Sequence, residues 1–346
     1  MAFSADPSYR LLAAQYVRKQ AKQLAGQLQG VRGAEDIEFI HRARVASRRL
    51  RAAVQMFGDC FRPKQLKRWR KQIRRVTADL GEARDKDVQI EFLCGTLDAL
   101  EEKACYPGIA RLLVKLERQR ERLQKHVNQA AGRFEASGVL EDMSDTTKGM
   151  LADAKADGVD VQSPYALART RRHIRCRLEQ LLSLRDCLAD AEAKERHHAM
   201  RIAAKRLRYT LEIANPVYRE GLKDFVATAK SLQTHLGEIH DCDVWLEDIE
   251  SFAAKERRRV VKHFGSPEPF SRLQAGIEHL QHERRQRRRD VFRELAEFWQ
   301  ELEQQAHWET LVATLQAGGE PPDEPRPKCV GRNQRSAVPA VGVESV

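Results

Sequence analysis

His41-Arg42-Ala43-Arg44-Val45-Ala46-Ser47-Arg48-Arg49-Leu50-Arg51 and His198-Ala199-Met200-Arg201-Ile202-Ala203-Ala204-Lys205-Arg206-Leu207-Arg208 are two copies of one pattern, H-x-x-R-[VI]-A-x-[RK]-R-L-R. On an α-helix each residue advances about 100°. With His41 at zero, Arg44, Arg48 and Arg51 fall within roughly 80° of it, while Ala43, Ala46, Leu50, Ala53, Val54 and Phe57 fall opposite. One face packs inward and the other is a stripe of positive charge. His198, Arg201, Lys205 and Arg208 repeat the stripe, opposed by Ala203, Leu207 and Leu211. At about 1.5 Å rise per residue each stripe runs roughly 15 Å.

The similarity extends past these helices. The first is followed by Leu80-Gly81-Glu82-Ala83-Arg84-Asp85-Lys86-Asp87-Val88, the second by Leu236-Gly237-Glu238-Ile239-His240-Asp241-Cys242-Asp243-Val244. His41 to His198 is an offset of 157 residues (198 − 41), and Gly81 to Gly237 one of 156 (237 − 81). The same offset pairs Arg18 with Arg175 in a helix preceding each basic helix. The chain is therefore expected to be two similar multi-helix halves.

Charge accumulates most in the first half. From His41 to Arg75 there are thirteen Lys or Arg and one acid, Asp59. Lys67, Arg70, Lys71 and Arg74 share a face opposite Trp69, Ile73, Val76 and Leu80, a role Lys223 and Lys230 keep more weakly in the second half. Like charges at i, i+4 repel, so this imbalance strains the free fold until a counter-anion relieves it. Arginine suits that task, since its planar fork donates bidentately to phosphate oxygens and stays charged. If the stripes only face ligand, removing Arg44 and Arg201 should leave stability unchanged or raised.

Elsewhere helical periodicity dominates and no segment alternates like a strand, so the fold is expected to be all-α. Residues 137–164, with Gly138, Gly149, Gly158 and Pro164, look like a connector holding a short helix, and Gly265 to Pro269 like a loop. These breaks give repeat one about 8–136 and repeat two about 165–317. The Pro- and Gly-rich stretch 318–346 is expected to be disordered.

The 346 residues carry a formal net charge of +11, which favours an acidic partner. No apolar run is long enough to span a membrane and no signal peptide is evident, so no membrane partner and a cytoplasmic location are expected. Seven scattered cysteines include no C-x-x-C pair, which argues against a zinc site or disulfide framework. In the Gly-Glu-x-[Arg/His]-Asp-x-Asp segments, the favoured reading is that Gly81 and Gly237 end one helix and the acids cap the next. A second reading gives Glu82, Asp85 and Asp87 a divalent cation. His41 and His198 are read either as structural groups within a bundle or as ligand donors.

The paired basic helices, each followed by L-G-E-x-[RH]-D-x-D-V, resemble the CHAD domain, the conserved histidine α-helical domain, over about residues 8 to 315. The resemblance implies two four-helix bundles related by a pseudo-two-fold axis, with a basic cavity or groove between them. It further implies binding of inorganic polyphosphate and, in some relatives, association with polyphosphate granules. Carried onto this chain, the binding positions are His41, Arg44, Arg48, Arg49, Arg51, His198, Arg201, Lys205, Arg206 and Arg208. Arg18, Lys67, Lys71, Arg74, Arg175 and Lys230 follow more weakly from the repeat alignment. Many relatives join this domain to a CYTH triphosphate-tunnel domain. The stretch before His41 is too short for one, which favours binding without catalysis and without a cofactor. Two other readings compete. Nucleic acid is expected to bind only non-specifically, since aromatics are 6% and no stacking motif is present. A Mg-dependent phosphohydrolase would use the repeated acids, but no P-loop accompanies them.

Overall fold

Two prolines open two equivalent runs of helix. Pro7 starts α1 (Pro7–Gly33) and Pro164 starts α6 (Pro164–Leu182), again 157 residues apart (164 − 7). Proline suits the first helical turn because its missing N–H has no partner there. Ser163 caps α6, its hydroxyl accepting from the Ala166 N–H at 3.0 Å. In this computed structural model, which describes residues 5–33 and 36–317, the helices then follow in one order in both halves. The first half continues with α2 (Ile37–Met56), α3 (Pro63–Asp98), α4 (Tyr106–Ala136) and α5 (Val139–Ala156). The second continues with α7 (Lys194–Ala214), α8 (Lys223–Phe264), α9 (Ser271–Gln304) and α10 (His307–Gln316). No strand occurs among the described residues. The stretch 318–346, expected to be disordered, lies outside them.

Each half buries the apolar faces predicted for its basic helix. Leu50, Ala53, Val54 and Phe57 of the α2 segment join Leu12, Trp69, Ile73 and Leu80 in one core. Ala203, Leu207 and Leu211 of α7 join Ile174, Leu232, Leu236 and Leu295 in another. A third core belongs to neither half alone. Leu93, Ile109, Leu112 and Leu116 from α3 and α4 pack with Trp245, Ile249, Phe252, Ile277 and Leu280 from α8 and α9. The long hairpins therefore extend past their own bundles and bury their far ends against each other.

Two elements differ from the sequence reading. The stretch 137–164 is mostly α5, eighteen residues packed against α1, and the connection is confined to residues 157–163. Met143, Thr147, Met150 and Ala154 recur on one buried face, so this segment belongs to the first core despite its glycines. Gly81 and Gly237 end nothing: they lie inside α3 and α8, each of which runs on without interruption.

Backbone approaches backbone closely at another glycine pair, where α4 crosses α9. A Cβ on Gly108 would sit 2.3 Å from the Leu273 carbonyl oxygen, and one on Gly276 would sit 2.1 Å from the Cys105 carbonyl oxygen. The two contacts are reciprocal, because Cys105 and Leu273, like Gly108 and Gly276, are 168 residues apart (273 − 105, 276 − 108). Swapped contacts of this kind are what an approximate two-fold relation between halves produces. Both obstructing atoms are backbone and cannot rotate away. Gly108→Ala or Gly276→Ala should therefore lower stability by about 2 kcal/mol or more. Gly26→Ala, with nothing within 4 Å of its Cβ, should raise it by about 0.5–1 kcal/mol. Urea midpoints read both. A Gly108→Ala protein as stable as its parent would mean that the halves do not depend on this crossing.

Candidate anion-binding site

The basic helices α2 and α7 pack beside each other, and their stripes meet. Arg48 and Lys205 occupy equivalent positions, 157 residues apart (205 − 48). Burial, then Arg48, Arg201 and Arg51, brings the Lys205 ammonium down to about 8. Burial, then Arg44 and later Arg201, lowers Arg48 as well. Neither residue forms an ion pair with any described residue. Two partly desolvated cations from opposite halves thus lie in one field with no carboxylate bound to either, an arrangement that costs free energy until an anion enters.

Arg44 and Arg201 reach this seam across the two mid-helix glycines. The Arg44 Nη1 donates to the Gly81 carbonyl oxygen at 2.9 Å and to Asp85 at 2.6 Å. A Cβ on Gly81 would lie 3.6 Å from the Arg44 guanidinium carbon, and one on Gly237 would lie 3.7 Å from the Arg201 Nε. Both distances are ordinary van der Waals contacts, so each guanidinium lies along the neighbouring helix beside a glycine whose place an alanine could take. The Arg44 Nε is buried without a partner, a donor left over for a ligand oxygen. Arg44 is therefore partly structural, which corrects the expectation that its removal is harmless to the fold.

The acids of the repeated motif divide by depth. Asp87 and Asp243 are buried and pair with Arg120 of α4 and, at 2.6 Å, with Arg288 of α9. Glu238 is held by Arg287 at 2.6 Å. These carboxylates fasten the long hairpins rather than cap a following helix. Asp85 and Asp241, one from each half, are exposed and near enough for the charge of Asp85 to act on Asp241. Desolvation raises the Asp241 carboxyl, with Arg201 and Arg44 opposing and Asp85 and Glu238 adding to the rise. Among the described residues no group of three His, Cys, Asp or Glu is placed to hold a metal ion.

Glu212 has no acidic counterpart in the first half, where Gln55 stands at the equivalent position. It accepts from Arg49 at 2.9 and 3.3 Å and from Arg208 at 2.8 Å, so one carboxylate ties a cation of each half. Arg49 and Arg208 are thereby committed to the α2–α7 joint. Sequence reasoning missed Glu212 because a single acid on a basic helix reads as ordinary sign mixing.

The histidines lie at the other end of the seam. His198 Nδ1 is 3.3 Å from His240 Nδ1 on α8, and the rings are 4.4 Å apart. Burial, then His240, Arg201 and Lys205, lowers His198. His41 is lowered by burial, then by Arg84, with Arg48 and Arg44 adding to the effect. Arg84 and His240 are equivalents (240 − 84 is 156), so each stripe histidine meets the variable residue of the repeated motif. That [Arg/His] position was the signal available in sequence.

The remaining predicted residues spread outward. Arg51 is exposed at the open end of the α2 stripe. Arg206 is exposed; burial and then Arg206 lower Arg177 on α6, and Arg206 is also among the charges that lower Lys205. Arg18 on α1 and Arg175 on α6 are exposed, and neither is among the charges that act on Arg48 or Lys205. Lys67, Lys71 and Arg74 on α3 and Lys230 on α8 are exposed too. A cavity of about 450 Å³ lies away from the stripes, lined by Arg185, Arg293, Trp299 and Glu303 among others.

An all-helical protein whose halves meet along a cationic seam is thereby defined. The chain belongs to the CHAD domain family, whose profile matches residues 15–250. It is 26% identical over 245 residues to the uncharacterized proteins Rv2226 and MT2285 of two Mycobacterium tuberculosis strains, covering 71% of this chain and 45% of theirs. The chain thus spans about half the length of these relatives. The fold resembles the CHAD domain from the plant Ricinus communis, with TM-score 0.60 and 21% identity over 86% of this chain and 93% of that one. It also resembles PptA from Streptomyces chartreusis, with TM-score 0.53 and 18% identity over 85% of this chain and all of that one. No described helix is long and apolar enough to cross a membrane.

Lys205 gives the sign of the seam's cost. Its ammonium is near 8 in the fold and 10.5 ordinarily, so the charged form is disfavoured by folding. The penalty is fully present below about pH 8 and vanishes above the unfolded value. Lys205→Met should therefore raise stability by about 1–3 kcal/mol at pH 7, and by much less at pH 10. Arg44→Ala should instead lower it by about 1–2 kcal/mol, through the lost bonds to Gly81 and Asp85. Denaturation at the two pH values measures both, and an equal gain for Lys205→Met at each would mean packing, not charge.

Proposed function

We propose that the chain binds inorganic polyphosphate along the α2–α7 seam and does not turn it over. The observation that carries this reading is the Arg48–Lys205 pair: equivalent cations, partly buried side by side, with no carboxylate bound to either. A chain of closely spaced phosphates supplies the dense negative charge that such a seam lacks, and Arg48, Arg201 and the unpartnered Arg44 Nε supply donors. Family membership supports the reading, since the resemblance to CHAD domains implies the same ligand. Binding without hydrolysis fits the engagement of Asp87, Asp243 and Glu238 by arginines, which leaves Asp85 and Asp241 facing a surplus of positive charge. On this reading the protein acts in the cytoplasm, on polyphosphate granules.

The test is affinity for long-chain polyphosphate against duplex DNA at equal charge and moderate salt. Polyphosphate should bind more tightly, and Arg48→Ala with Lys205→Ala should weaken it at least tenfold. Equal binding of the two polyanions would favour a nonspecific nucleic-acid binder instead. Phosphate release that requires Mg²⁺ and disappears in Asp85→Asn would establish an enzyme.

A pH dependence follows from Lys205. Bound phosphate favours its charged form, so binding takes up a proton wherever free Lys205 is partly neutral. Affinity should hold below about pH 8 and fall as pH rises from 8 toward 10. Calorimetry at pH 8.5 in buffers of different ionisation enthalpy should detect proton uptake that is smaller in Lys205→Met. Equal uptake in both proteins would assign the proton elsewhere.

A further inference from the structure

The seam is close to symmetric, but the surface leading away from it is not. On α3, Lys67, Lys71, Arg74, Gly81 and Asp85 fall on one helical line, at steps of four, three, seven and four residues. Arg44 lies on the far end of that line, bonded to Gly81 and Asp85. From Lys67 to Gly81 the line is about 21 Å long. Antiparallel packing sets Arg51 of α2 beside its middle, since Arg70 donates to the Val54 carbonyl oxygen at 3.1 Å. Lys67, Lys71, Arg74 and the adjoining Arg75 are exposed and form no ion pair with any described residue.

The second half has no such row. At the equivalent positions, 156 residues on, stand Lys223, Ala227, Lys230 and Ser231. Lys223 pairs with Glu220 at 3.5 Å, and Asp224 follows it. One unpaired cation, Lys230, remains where the first half has four.

We infer that a polyanion longer than the seam leaves it in one direction only, over the α3 row of the first half, so that this row selects for long chains. The inference rests on the polyphosphate reading of the seam and adds chain length and direction to it. A short oligophosphate satisfies the Arg44–Arg48–Arg201–Lys205 cluster and ends there. A long chain gains the α3 contacts and releases the counterions held along that row, as nucleic-acid phosphates do. No comparable gain exists over α8.

The probes are tripolyphosphate and long-chain polyphosphate, each titrated against the full chain at two salt concentrations. In the wild type the long chain should bind at least tenfold more tightly than tripolyphosphate. In Lys67→Ala/Lys71→Ala/Arg74→Ala the ratio of the two affinities should collapse, and the slope of log affinity on log salt for the long chain should become shallower by about two. The converse variant, Ala227→Lys with Ser231→Arg, extends the row onto α8 and should raise long-chain affinity more than tripolyphosphate affinity. A ratio unchanged in both variants overturns the inference while leaving the seam intact. Failure of the wild type to bind either probe overturns the seam reading itself.

Discussion

Two positively charged helix faces are held against each other, and much of the structure follows from that constraint. The two stripes oppose the arrangement: after burial, Arg48 is the largest of the neighbouring charges that lower Lys205, and Arg44 and Arg201 are among those that lower Arg48. The restraint comes from behind and from the sides. Behind, the apolar faces of Leu50, Ala53 and Val54 and of Ala203, Leu207 and Leu211 are buried in separate cores. At the side, Glu212 draws Arg49 and Arg208 onto one carboxylate. At a distance, α3 and α4 carry the first half's apolar surface into a core shared with α8 and α9. The hairpins are fastened where the sign of charge alternates, through Asp87–Arg120 and Asp243–Arg288. The fold thus spends its apolar area at both ends to keep like charges close in the middle.

This division explains which parts of the molecule were legible in sequence. The basic helices were legible because a 3.6-residue period separates their two faces within one short stretch. The repeat was legible because both copies keep the same spacing through Gly81 and Gly237. That those glycines lie inside helices was not, since a glycine between Leu80 and Glu82 has the same local signature whether it stops a helix or continues one. What lies against Gly81 is set thirty-seven residues away in the chain, where Arg44 donates to its carbonyl oxygen. Gly108 and Gly276 were invisible for the same reason: their partners, Leu273 and Cys105, lie in the opposite half. Residues 137–164 misled in the other direction. Glycine and clustered Asp, Ser and Thr suggested a connector, but Met143, Thr147 and Met150 keep a helical period and find a core.

The predicted site residues sort along the same line. Arg44, Arg48, Arg201 and Lys205 are brought together because their helices are adjacent, and stripe register alone had selected them. Arg49 and Arg208 satisfied the same pattern yet serve the joint, since only the folded chain sets Glu212 between them. Asp85 and Asp241, weighed mainly as caps, border the seam, and Arg84 and His240 of the same motif border it with them. A motif read along one helix gives its faces, whereas what each face meets depends on the neighbouring helix.

The two halves are alike where they meet and unlike where they part, and this follows from what each region must do. Equivalent residues that face each other share one environment: a change at Arg48 alters the field at Lys205. The reciprocal contacts of Gly108 and Gly276 are constrained still more tightly, because backbone meets backbone there. The exposed residues of α3 between 67 and 75 and of α8 between 223 and 231 face water, and α3 meets α8 farther along, where Phe92 and Leu93 pack with Trp245 and Ile249 and Gln89 donates to Asp248. Lys71 and Arg75 in one half can then stand against Ala227 and Ser231 in the other without disturbing the fold.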